Sequence, residues 1–170
     1  MRRFLDRLYD TAAVLAAVCI IGVLVTVIAG VVSRESNMFI PGTDSYAGYL
    51  MAGAGFLAMA YTLKRDEHIR VTLVLNAASP RMRRALEIFS LGAAVLLAAL
   101  FAYYSARFAW QSYLFNDIST GNDAAPLWIP ELSMVVGSFI LLVAFIDEFV
   151  LELLGRRQHR RQIDEILRNE

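Results

Sequence analysis

Few side chains in this sequence are suited to chemistry, and their placement argues against a catalytic centre. The histidines are His68 and His159, and the single cysteine is Cys19. Haem held inside a membrane takes histidines on facing apolar helices, and both histidines here fall outside the apolar runs. One cysteine excludes an internal disulfide and any cysteine-rich metal site. A proton-coupled exporter needs a carboxylate at mid-bilayer, where such a group is costly and persists only for function. Glu87, Asp147 and Glu148 instead sit near the ends of apolar runs. There is no Gly-Lys-Ser/Thr phosphate loop, Gly121-Asn122-Asp123 reads as a turn, and no nucleophile stands beside a recognisable base. These residues point to no catalytic site, no metal site and no cofactor.

The elements that carry them are set by hydropathy. Of 170 residues, 58% are apolar and 19% charged, against roughly 45 to 50% apolar in a soluble domain. Sixteen basic and sixteen acidic side chains balance, and no basic stripe with interleaved aromatics is present, so nucleic acid is set aside as a partner. A helix crossing a hydrocarbon core of roughly 30 Å needs about 20 apolar residues. Four uncharged runs, 11–33, 45–63, 88–106 and 132–146, the last continuing as an apolar face to Leu154, give spans at about 11–33, 45–63, 85–107 and 131–154. Inside a bilayer each backbone amide must be satisfied within its own segment, so the runs are expected to be helices. The fold class is therefore an all-α integral membrane protein of four transmembrane helices in a single domain, 1–170. A cleavable signal peptide fits the first run poorly, because its apolar stretch of 23 residues exceeds the usual 7 to 15.

Basic residues orient the spans, because cytoplasmic loops collect lysine and arginine. Fourteen of the sixteen fall before the first span, in the 64–84 loop, or in the 155–170 tail. Both termini are thus expected in the cytoplasm, with 34–44 and 107–131 on the opposite side. In the first outer loop Pro41-Gly42 signals a turn, with Thr43 or Asp44 capping the second helix. That helix carries Gly48, Ala52 and Gly55 at spacings of four and three, a small-residue face for close helix packing. The inner loop is apolar within and basic at its edges, so His68, Ile69, Arg70, Val71 and Leu73 are expected in an interfacial amphipathic segment. Ser79-Pro80 opens a helix uninterrupted to about Ser112, and Pro130-Glu131 starts the last one. Trp110 and Trp128, with Tyr113, suit an aromatic belt at the membrane surface.

Three local marks then resemble the small membrane subunit of tripartite ATP-independent periplasmic (TRAP) transporters, the DctQ-like family. They are His68-Ile69-Arg70-Val71 after the second span, the basic Pro80-Arg81-Met82-Arg83-Arg84 opening of the third, and Ile118-Ser119-Thr120-Gly121 followed by Pro126-Leu127-Trp128-Ile129-Pro130. Thr72 stands where the family often has an acid, and Glu67 where it often has glycine. The resemblance implies a non-catalytic brace in the bacterial inner membrane. It would support a large multi-span subunit in sodium-coupled uptake of an organic anion, a carboxylate or a sialic-acid-like solute, delivered by a periplasmic binding protein. Asp44, Asp117 and Asp123 in the outer loops are the expected contacts for that binding protein. Two other readings carry different expectations: an independent oligomeric carrier or channel, and the membrane anchor of a redox enzyme.

Overall fold

A computed structural model describes residues 2–36, 38, 40–64, 79–121 and 124–155. The expected interfacial segment at 68–73, Asp123 and the tail from 156 onward lie outside the described residues.

Four helices account for nearly all of it: α1 Arg2–Glu35, α2 Thr43–Lys64, α3 Pro80–Phe115 and α4 Trp128–Leu153. Their ends follow local chemistry. Gly42, at φ 81°, turns the chain into α2, a left-handed conformation that costs glycine little. Ser79 is extended and Pro80 occupies the first turn of α3, where its missing amide has no helical partner to lose. Asn116, in the left-handed region at φ 51°, ends that helix and returns its amide to Ser112 and Tyr113 carbonyls. α4 begins at Trp128 rather than at Pro130-Glu131, because a first-turn proline tolerates two helical residues before it.

Among the described residues α1, α3 and α4 are long and apolar enough to cross a membrane. α3, at 36 residues, is about 54 Å long, so in a core of roughly 30 Å it must tilt or protrude. α2 has 22 residues, a length of about 33 Å, and eight of the 22 are alanine or glycine. Length suits it to a crossing, whereas its composition suits it to packing.

Specific contacts fix the directions. Arg34 meets Asp44 at 2.8 Å at one end of the α1–α2 pair and Lys64 meets Asp6 at 2.5 Å at the other, so the two run antiparallel. Between α2 and α4, Gly53 faces Ser133 and Phe56 faces Gly137, which makes that pair parallel. Ser112 donates to Glu131 at 3.0 Å and Gly92 lies beside Phe149, so α3 and α4 run antiparallel. The helices alternate in direction, and α1 starts at the same end, here called proximal, at which α4 finishes.

Neighbours run in the order α1, α2, α4, α3. The bundle is open: α3 packs on α4, and its backbone approaches neither α1 nor α2 within 8 Å. A single ring pair, Phe56 on Phe101 with centroids 5.8 Å apart, reaches from α2 to α3. The core lies at the proximal end, where buried Tyr9, Ala60, Leu63 and Ala144 join three helices, backed by Leu5, Ile140, Leu141 and Phe145.

The tightest crossing is that of α2 with α4. A Cβ added at Gly137 would lie 2.6 Å from the Phe56 carbonyl oxygen and 2.7 Å from its Cβ. Backbone cannot swing aside, so only glycine permits this approach, and close approach is what stabilises helices in lipid. Gly137→Ala should therefore cost about 1–3 kcal/mol by overpacking, read as a lower unfolding midpoint in detergent, whereas Gly48→Ala, with nothing within 4 Å, should hold the midpoint or raise it through the helix propensity of alanine. The two ion pairs should also differ. Lys64 lies 4.3 Å from the Tyr9 ring centroid and is mostly buried, so Lys64→Ala should cost about 1–2 kcal/mol through the lost pair and cation–π contact. Arg34→Ala breaks a pair exposed on both sides and should cost under about 0.5 kcal/mol in the same melt.

Candidate functional site

The groups with chemical potential are dispersed or engaged in packing. Among the described residues no group of three or more His, Cys, Asp or Glu could hold a metal ion. Cys19 is half-buried in the α1–α2 seam, its Sγ 3.5 Å from a Cβ position at Gly53. At the proximal end Glu87 is buried and takes a 3.4 Å contact from Arg83 one turn earlier. Arg84 donates at 3.4 Å to the Leu153 carbonyl, placing a cation at the negative end of α4. Glu148 and Glu152 are only 8% and 3% exposed. The end of α4 thus buries these carboxylates on one face and leaves Val150, Leu153 and Leu154 exposed on the other.

The distal end is built from loops folded back on their helices. Ser33 accepts from the Ile40 amide at 3.1 Å and donates to the Met38 carbonyl, shaping the first loop. Asp44 is strongly exposed and held by Arg34. In the second loop the Leu127 amide donates to the Asp117 carbonyl at 3.0 Å and the Ser119 amide to the Ala125 carbonyl at 2.8 Å. These bonds pair the two sides of the loop, with Asp117 exposed at its base. Trp110, Tyr113 and Trp128 form a continuous ring cluster, with centroid separations of 6.1 and 5.7 Å, so residues 18 apart in sequence mark one level on α3 and α4. Beside them Ser112 is fully buried and holds Glu131.

The helix faces hold the remaining candidates. α2 packs on its own chain through Gly53, Leu57, Ala60 and Leu63. Gly48, Ala52 and Gly55, the expected packing face, lie on its exposed side with Met51 and Met59, and Gly48 and Gly55 have nothing within 4 Å. Helical spacing thus separates two small-residue faces on one helix, one used within the chain and one open. On α3 the exposed side bears Tyr103, Tyr104 and Arg107, which the sequence reading passed over. The available signal was two hydroxyls inside the third uncharged run and an arginine closing it.

Residues 23–155 match the family described as tripartite ATP-independent periplasmic transporters, DctQ component. A comparison with curated proteins found no match. The match covers all of α2, α3 and α4 and residues 23–35 of α1. This chain belongs to the DctQ family, and it is the small, multi-pass membrane subunit of a TRAP transporter.

Proposed function

We propose that the chain is a stationary, non-catalytic brace that holds the large transport subunit at a fixed depth. The DctQ family operates with a large transporter subunit and a periplasmic binding protein. The observation that carries the reading is the uncovered small-residue face of α2. Gly48, Ala52 and Gly55 are exposed along one stripe, and in lipid such a stripe gains stability only when another backbone lies against it. A helix of the large subunit is the occupant this reading assigns. In this arrangement all four helices cross the bacterial inner membrane and both termini are cytoplasmic. The arginine-rich connections support that orientation, and the Trp110–Tyr113–Trp128 cluster is the anchor at the outer surface.

Within the transporter the large subunit carries the solute and the coupling sodium ions, and the present chain resists the reaction of that movement. A brace must not slide along the membrane normal, and interfacial aromatics at one surface with arginines at the other fix its depth. The inner segment around His68, Ile69, Arg70, Val71 and Leu73 adds an interfacial float on the cytoplasmic side. Asp44, Asp117 and Asp123 in the outer loop sequences offer acceptors to a docked binding protein. The transported solute is an organic anion of the carboxylate or sialic-acid-like class.

Co-expression with the large subunit, followed by purification on a tag carried by this chain and by solute uptake in vesicles, tests the reading. The large subunit should co-purify, and uptake should require both chains and the binding protein. Gly55→Leu should reduce co-purification roughly tenfold or more by filling the stripe while leaving the unfolding midpoint of the isolated chain unchanged. Uptake through vesicles containing this chain alone would overturn the brace and favour an independent carrier.

A further inference from the structure

α3 carries a polar cluster that lipid does not satisfy. Tyr103, Tyr104 and Arg107 are spaced one, three and four residues apart, on the side of the helix away from α4, whose contact side is buried Ala98, Ala102 and Ala109. Tyr103 and Tyr104 are 60% and 59% exposed and pack edge to face, with ring centroids 5.3 Å apart. None of the three side chains has a hydrogen-bond or ion-pair partner among the described residues.

Depth makes this costly. Trp110, in the ring cluster with Tyr113 and Trp128, marks the distal membrane surface. Along the axis Arg107 lies about 4.5 Å inside that level, and Tyr104 and Tyr103 about 9 and 10.5 Å. Side chains on a helix lean toward its N-terminus. Because α3 starts at the proximal end, these three lean away from the nearer surface and toward the hydrocarbon. Exposed Leu96, Leu97 and Leu100 continue the same helix inward. A cation and two phenols so placed are matched when protein covers them, since intramembrane charges pair with a partner or line a polar cavity.

We propose that this face of α3 is a second docking surface for the large transport subunit, receiving a transmembrane helix that carries a carboxylate level with Arg107 and a hydrogen-bond acceptor within reach of the tyrosine hydroxyls. Charge complementarity names the occupant: the cluster offers one positive charge and phenolic donors, and a carboxylate-bearing helix supplies what lipid tails lack. The inference rests on the brace reading. It adds that contact is made on α3 as well as α2, so the partner grips both edges of the helical layer.

The test uses the co-expressed pair of membrane subunits. Arg107→Leu combined with Tyr104→Phe should lower recovery of the large subunit roughly tenfold, and Arg107→Lys should restore part of it. The variants should melt like the parent when this chain is purified alone, which separates lost docking from lost folding. A photo-crosslinking residue at Tyr104 should capture the large subunit, while the same probe at Val25, exposed on α1, serves as a lipid-facing control. Unchanged recovery with no crosslink at Tyr104, in a parent that still co-purifies, overturns this inference and leaves the brace standing. Capture of a second copy of this chain overturns it in favour of self-association. Failure of the parent to co-purify overturns both.

Discussion

The approach of α2 to α4 at Phe56 and Gly137 is the contact on which the arrangement depends. Lipid tails are as apolar as leucine, so helices in a bilayer gain nothing from hiding hydrocarbon and must gain from contact itself. With Gly137 the Phe56 carbonyl can come within what would be Cβ distance, and α4 then lies close enough to seat Ala144 against Ala60 and Tyr9. α1 joins through Gly22 and Gly30, whose missing side chains make room for Leu50 and Thr43. Among the described residues α3 joins through α4 and the Phe56–Phe101 ring pair. A change at the central crossing therefore propagates to both outer helices, whereas a change on α3 need not disturb α1.

An open layer of this kind has consequences for function. A closed four-helix bundle would bury each helix against two others and keep a polar or packed centre for a site. Here the layer has two outer helices, α1 and α3, and much of the apolar surface of each is exposed. Its ends are finished with care: Lys64, Asp6 and Tyr9 at one, and Ser33, Arg34 and Asp44 with the Ser112–Glu131 pair at the other. Firm ends and an unpartnered middle describe a part that is stiff by itself and completed by a neighbour. The family to which the chain belongs works with a large transporter subunit and a periplasmic binding protein.

The exposed faces are not alike. Val18, Ile21, Leu24, Val25 and Ile28 on α1 form a uniform aliphatic surface, suited to lipid. α2 shows glycine and alanine, and α3 shows two tyrosines and an arginine. The contrast lies in the chemistry each surface can satisfy, because acyl chains accept aliphatic groups without penalty but neither fill a small-residue stripe nor accept a hydrogen bond.

Hydropathy determined that the chain would be helical in four segments, and Pro41-Gly42 and Ser79-Pro80 marked where two of them open. Backbone amides in an apolar solvent have one local solution, and Gly42, Ser79-Pro80 and Asn116 act within a few residues of themselves. The motif order around His68, Pro80 and Trp128 was enough to suggest the family. Tertiary structure alone decided which face of α2 the chain uses for itself. Gly48, Ala52 and Gly55 have the spacing of a packing face, yet Gly53, one residue away from Ala52, is the glycine in the seam. Helical periodicity says that residues share a side but not which neighbour lies there, and Gly137 gave no sign in sequence that Phe56 would meet it. The burial of Glu148 and Glu152 likewise depends on where three other helices settle, a relation between distant segments that no local pattern encodes.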